Sequence, residues 1–171
     1  FPVRHQHQPA DQMGRDVRDG RSFYTYSRIA IGAAIGELQE LTAREYDEVG
    51  QKDLNRLNID WKRYCELDAA GKLATFIAKR NGVIVGYACF VVQTHIHYQD
   101  ALVAANSAVY VVPEVRAGRI VLKLLRFAEM GLKAKGVKKI YYHVKREKDF
   151  GRLLEHLGYR DAERMFAKVL N

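Results

Sequence analysis

The stretch from Val109 to Gly136 constrains the fold more than any other part of this chain. A β-branched run (Val109, Val111, Val112) ends at Pro113, which has no N–H for a strand ladder. A short basic loop follows. Arg116–Lys135 then reads as a long helix, with Val121, Leu124, Leu125, Ala128 and Leu132 as its buried stripe and Lys123, Arg126 and Lys133 facing elsewhere. Gly136 suits the left-handed position just past a helix. Lys138–Val144 is strand-like again, so the unit is a βαβ crossover.

Upstream, Lys72–Arg80 and Val83–Gln93 flank Asn81-Gly82, a strong hairpin signal because both residues tolerate positive φ. A further strand covers Ala101–Val112. Two helices precede the hairpin. One runs from Glu37 to Val49, with Leu38, Leu41, Tyr46 and Val49 at mostly helical spacing and Gly50 as a stop. The other covers Asp60–Ala70, capped by Asp60 and closed by Gly71. Asp149–Leu157 reads as a short helix stopped by Gly158, and Tyr159–Leu170 as a final strand or pair of strands. Ser22–Ile31 reads as a strand or as the first contact of an N-terminal arm. Antiparallel strands followed by a βαβ unit predict an α/β (α+β) fold, with a mixed, mostly antiparallel sheet and helices on both faces.

A chain of 171 residues fits one domain. Residues 1–21 alternate Gln with His and then mix Asp, Arg and Gly with few apolar residues; they read as an extended or disordered arm on a single domain spanning 22–171. His5 and His7 would hold a metal only with outside ligands, so no metal is expected. Nothing approaches the roughly 20 apolar residues of a membrane helix. Cys65 and Cys89 lack metal or redox spacing and read as free thiols of a reducing cytoplasm.

The net charge of +8 is localised: residues 114–148 hold eleven Lys/Arg against three acids, and the rest of the chain balances. An anionic partner is expected there, and nucleotide phosphates or nucleic acid both qualify. No helix-turn-helix, zinc ligand set or stacking-aromatic motif accompanies the charge, which disfavours nucleic acid. The loop itself has the chemistry of an anion site. The first turn of a helix presents unpartnered N–H groups at the positive end of its dipole; Arg116 and Arg119 add charge, and Gly118 lets a pyrophosphate come close.

At these residues the sequence resembles the GNAT superfamily of N-acetyltransferases. Val111-Val112-Pro113 matches the family's strand end, and Arg116-Ala117-Gly118-Arg119-Ile120-Val121 lies over its R/Q-x-x-G-x-G/A loop. Leu157-Gly158-Tyr159 matches its hydrophobic-Gly-aromatic signature. The resemblance covers residues 72–171 well and the N-terminal third in outline, and it looks closest to divergent bacteriophage-encoded members. It implies acetyl-CoA as co-substrate, with Val111 and Val112 bonding the pantetheine arm through the backbone and residues 116–121 holding the pyrophosphate. Arg119 and Val121 stand where the family has glycine or alanine.

The resemblance also implies a Glu on the core strand and a Tyr in the last helix. This chain has Asn106 and Ser107 around the first position and Leu154 at the second. His95, His97 and Tyr98 are the substitutes offered by the sequence: an imidazole as base, with His97 foremost, and a phenol as proton donor, with Asn106 nearby. Tyr141, Tyr142 and His143 alternate along a strand and read as packing or cleft residues, Glu163 as a salt-bridge residue and His156 as surface. The function expected is acetyl transfer to a small-molecule or protein amine in the cytoplasm (of the host, for a bacteriophage protein), with the oligomeric state left open and a homodimer compatible with it. The alternatives are a GNAT-fold binding protein without catalysis and, further off, a nucleic-acid module.

Overall fold

Asn81 and Gly82 take φ of 51° and 87°, the two positive angles that a tight hairpin turn demands. They join β3 (Leu73–Arg80) to β4 (Val83–His95), with Arg80 opposite Val83. The sheet grows outward from this hairpin in a computed structural model that describes residues 14–19, 22–54 and 56–170. Beside β3 lies β2 (Ser22–Ile29), and beside that β1 (Gly14–Asp19). Part of the expected N-terminal arm is therefore an edge strand, and residues 1–13, with His5 and His7, lie outside the described residues. On the other side β5 (Tyr98–Val111) pairs with β4, and β6 (Lys139–Tyr141) pairs with β5. The order is β1-β2-β3-β4-β5-β6, antiparallel throughout except for the parallel β5–β6 step that closes the crossover.

The helices are α1 (Ile35–Val49), α2 (Trp61–Ala69), α3 (Ile120–Ala134) and α4 (Gly151–His156). Asp60 caps α2 by accepting the Arg63 N–H at 2.8 Å. Helix α3 starts four residues later than the periodicity suggests. Pro113–Val115 forms a 3-10 turn of its own, and only from Ile120 does the chain wind as a continuous α-helix. Its stripe is as expected, with Leu124, Leu125, Ala128 and Leu132 fully buried.

Helices cover both faces. On one, α3 sits so close to β3 that a Cβ on Gly131 would come within 2.4 Å of the Phe76 ring, and Phe127 packs edge-on against the same ring at 6.0 Å. On the other, Leu38 and Leu41 of α1 are buried over β4, whose Cys89 shares a buried hydrogen bond with Thr75.

The C-terminal quarter departs from expectation. β6 has three residues instead of the seven of Lys138–Val144, and no strand forms over Tyr159–Leu170. So short an edge offers little backbone for another strand to pair with. Met165, Phe166 and Leu170 consequently stand exposed.

Candidate active site

The site begins where β5 and β6 part. They pair only from Val103–Lys139 to Ala105–Tyr141, while β5 continues without β6, still paired with β4, to Val111. Asn106 stands at the apex. Its side-chain carbonyl accepts the His143 N–H at 2.5 Å and its amide reaches the His143 carbonyl at 3.4 Å, in place of the next ladder bonds. Immediately beyond it Ser107 occupies a β-bulge, since Cys89 opposes Ala108 whereas Phe90 opposes Asn106. A bulge re-aims the side chain at the extra residue. Here Ser107 Oγ meets the Tyr64 hydroxyl of α2 at 2.7 Å.

Further along β5, Val112 donates to the Val85 carbonyl at 2.9 Å. Because bonding groups alternate sides along an antiparallel strand, those of Val111 point the other way, into the opening between β5 and β6. The Val111 carbonyl is already engaged, accepting from Arg116 Nε at 2.6 Å. The Arg116 guanidinium turns back to Glu48 of α1, donating to both carboxylate oxygens at 2.5 and 2.7 Å. These bonds, with Lys148 3.3 Å behind them, hold the Glu48 carboxyl down to about 2. Arg116 was expected to hold a pyrophosphate; its charge is instead neutralised by Glu48. What faces outward is the start of α3. Arg119 is its N-cap without any side-chain cap bond, and the first bond back is from Lys123 to the Arg119 carbonyl at 3.0 Å. The N–H groups of Ile120, Val121 and Leu122 precede that bond and have no intrahelical partner. A Cβ on Gly118 would meet nothing nearer than the Val115 carbonyl at 3.8 Å, so the fold itself does not demand glycine there. Ala117 and Gly118 lie in the same turn. The expected residues 111, 112 and 116–121 thus form one continuous strand end and loop, in which Val112 bonds back to β4 and Arg116 to Glu48, so neither of those two turns to the opening.

On the α1/α2 side of this opening lies a cavity of about 220 Å³. Tyr87, Cys89, Ser107 and Ala108 floor it, α1 and α2 wall it, and Gly50, Gln51, Leu57 and Ile59 close one end. Two polar pairs look into it. The Tyr87 hydroxyl donates to the Glu45 carboxylate in a short hydrogen bond. Burial raises the Glu45 carboxyl above its ordinary range, against the lowering pull of Tyr87 and Lys145, and burial also drives the Tyr87 hydroxyl far up, so it stays protonated. The second pair is Tyr64 with Ser107, and burial raises the Tyr64 hydroxyl as well. Cys89 is a buried thiol pushed up to about 11, unfit as a nucleophile at neutral pH. Lys145 closes the rim by donating to the Val49 carbonyl.

The residues expected to be catalytic are elsewhere. His95, His97 and Tyr98 form the β4–β5 hairpin tip, where His95 stacks near Tyr98 at 4.9 Å and His97 at 5.9 Å. His97 and Tyr98 are exposed. His95 lies six residue steps along β4 from Cys89, roughly 20 Å at about 3.3 Å per step. Asn106 adjoins the site but serves the backbone of His143.

Sequence reasoning passed over Glu45, although a signal was there. Leu38, Leu41, Glu45 and Glu48 recur at helical spacing, so two acids continue the buried stripe of α1.

Comparison with known proteins accords with this architecture. An aminoglycoside acetyltransferase from an uncultured soil metagenomic sample superposes with a TM-score of 0.68 at 15% identity, over 86% of this chain and 97% of that one. The ribosomal-protein-alanine N-acetyltransferase of Brucella melitensis biovar Abortus 2308 gives 0.65 at 16% identity, over 86% and 99%. A predicted acetyltransferase from Clostridium acetobutylicum, solved with acetyl-CoA, gives 0.63 at 16%, over 85% and 96%. At such identities the likeness is one of fold. No curated protein sequence matches the chain. The family model described as "Acetyltransferase (GNAT) family" matches residues 35–159, from α1 through the Gly158-Tyr159 signature. The protein belongs to the GNAT acetyltransferase family.

Proposed function

We propose that this protein transfers the acetyl group of acetyl-CoA to the nitrogen of an amine acceptor held in the Glu45 cavity. The observation that carries this reading is the convergence of the Glu45–Tyr87 and Tyr64–Ser107 pairs beside the β5–β6 opening. The phosphates of the co-substrate suit the uncapped N–H groups of α3 with Arg119, and Gly118 leaves the space they need. The pantetheine arm suits the unpaired edge of β5.

Amines reach the enzyme as ammonium ions. Glu45, raised by burial, takes one proton and leaves the nitrogen lone pair free to attack the thioester carbonyl carbon. The C–N bond forms and the C–S bond breaks. The second nitrogen proton leaves as the carbonyl re-forms and, by way of the Tyr64–Ser107 hydroxyls, accounts for the proton on the departing thiol. Tyr64 is suited to that place because it is still protonated at neutral pH. The carboxylate returns its proton to solvent.

A second reading, a coenzyme-binding protein without turnover, draws on the engagement of Arg116 by Glu48 and on Arg119 and Val121 in the loop. One experiment separates the two. Acetyl-CoA is added first alone, reading the melting temperature, and then with a panel of amines, reading free thiol. A rise in melting temperature with thiol release supports transfer; a rise without release across the panel supports the binding protein. Coenzyme phosphates suit the basic N-terminal end of α3, and nucleic acid is the weaker alternative because no groove-reading or base-stacking motif accompanies the charge. The bacteriophage-like affiliation and the cytoplasmic setting belong to this reading on the degenerate loop and the free thiols of Cys65 and Cys89. A homodimer belongs to it through exposed Met165, Phe166 and Leu170, and sedimentation velocity reads that directly.

A further inference from the structure

We infer that the acceptor is a primary monoamine carried on an apolar, aromatic-sized body, and not a polycation; this rests on the cavity being the acceptor site. An ammonium group taken out of water needs a carboxylate partner, because an unpaired buried charge costs several kcal/mol even after relaxation. Among the described residues lining the cavity Glu45 is the one carboxylate. Of the other acids near it, Glu48 is engaged by Arg116 and Lys148 and Glu114 by Arg44 at 2.6 Å, and neither these nor Asp47 lines the cavity. Lys145, the one cation of the lining, is held at the rim by the Val49 carbonyl and already draws on Glu45, so the site accommodates at most one added positive charge.

The remainder of the acceptor meets a mostly apolar wall, interrupted by Thr42 and Gln51. Leu38, Leu57, Ile59 and Trp61 line the cavity, and the Trp61 and Tyr64 rings stand 6.0 Å apart on one wall. Leu57 also borders an adjoining groove with Leu54, Gln51 and Asn58, and among the described residues no carboxylate lines that groove. A second ammonium leaving the cavity by that route finds no anionic partner there. The volume, about 220 Å³, lies below the usual range for drug-sized ligands and suits one ring on a short arm better than several linked sugars.

Trp61 is the single tryptophan of the chain and lines this cavity, so its fluorescence reports occupancy. The full-length protein, saturated with coenzyme A, is titrated with 2-phenylethylamine, spermidine and kanamycin. 2-Phenylethylamine is expected to change the Trp61 emission and to bind at least about tenfold tighter than either polycation, a gap of about 1.4 kcal/mol. L57E, at a half-exposed position, is expected to narrow that gap by giving a second ammonium its partner. Kanamycin or spermidine binding as tightly as 2-phenylethylamine overturns the inference, as does an emission unmoved by 2-phenylethylamine. The reading beneath it fails separately. 2-Phenylethylamine that binds but releases no thiol from acetyl-CoA contradicts transfer and leaves the acceptor class standing. Thiol release with the polycations alone contradicts the class and leaves transfer standing.

Discussion

Arg116 and Glu48 form a two-pronged ion pair, with N···O distances of 2.5 and 2.7 Å, that ties the end of α1 to the turn before α3. The Arg116 Nε holds the Val111 carbonyl at the same time, so one side chain fixes α1, β5 and the loop before α3 relative to one another. Both side chains are partly shielded, at 33% and 19% exposure, which makes the pair stronger than an ordinary surface bridge. R116A is expected to cost about 1.5–3 kcal/mol, the range for hydrogen bonds to charged groups, read by chemical denaturation. The pair also sets an acid limb. Glu48 lies at about 2 in the folded protein against 4.5 ordinarily, so its contribution is full above pH 4.5 and lost as the pH falls towards 2. E48Q should flatten stability over that window; an unchanged slope would show that other groups govern it.

Glu45 shifts the opposite way, and the sign reverses with it. Its carboxyl is raised, so the carboxylate that accepts the amine proton disappears on acidification at a pH above 4.5. The acidic limb of the rate profile should lie there. E45Q is expected to lower turnover by about 10²–10⁴-fold, the usual worth of a general base, and to abolish that limb. Y87F removes the hydroxyl that lowers the Glu45 carboxyl, and should move the limb to higher pH with a smaller loss of rate. Thiol release followed across pH measures all three.

The hairpin, the crossover and the buried face of α3 were legible because each is written in local chemistry: two positive-φ residues, a proline and an apolar repeat. Strand β1 was not. Gly14–Asp19 is a polar sequence whose strand character comes from pairing with β2, and composition carries no record of a partner. Tyr159–Leu170 failed in the other direction, since its strand-like composition finds no strand partner in the described chain. The site shows the same division. The loop before α3 is contiguous, so its strand–loop–helix form could be read from the sequence. The Glu45–Tyr87 and Tyr64–Ser107 pairs join residues 42 and 43 positions apart, and only the folding of α1 and α2 over the bulge brings them together.

The two histidines supply a control on that distinction. Imidazoles near neutrality are chemically suited to be the base, but position decides. H95A/H97A, altering an exposed tip roughly 20 Å of strand from the cavity, is expected to leave turnover within about twofold and stability within about 0.5 kcal/mol. A loss comparable with that of E45Q would return the base to the hairpin tip.

Gly131 and Gly118 separate fold from ligand on the two ends of α3. At Gly131 a methyl would meet the Phe76 ring at 2.4 Å, in a packed face with no room to yield. G131A is therefore expected to destabilise by about 1–3 kcal/mol, as overpacked cores do, although alanine is the better helix former. At Gly118 a methyl meets only the Val115 carbonyl, at an ordinary 3.8 Å, and φ is not in the left-handed region. G118A should accordingly leave the melting temperature of the free protein unchanged or slightly raised. Its cost appears only with coenzyme, because the methyl projects where a pyrophosphate must approach the backbone of the loop. Coenzyme A affinity by calorimetry is expected to fall at least about tenfold, or about 1.4 kcal/mol. Equal affinity in G118A and the parent would move the phosphates away from this loop, whereas a drop in the stability of the free protein would mean that the fold, and not the ligand, requires glycine there.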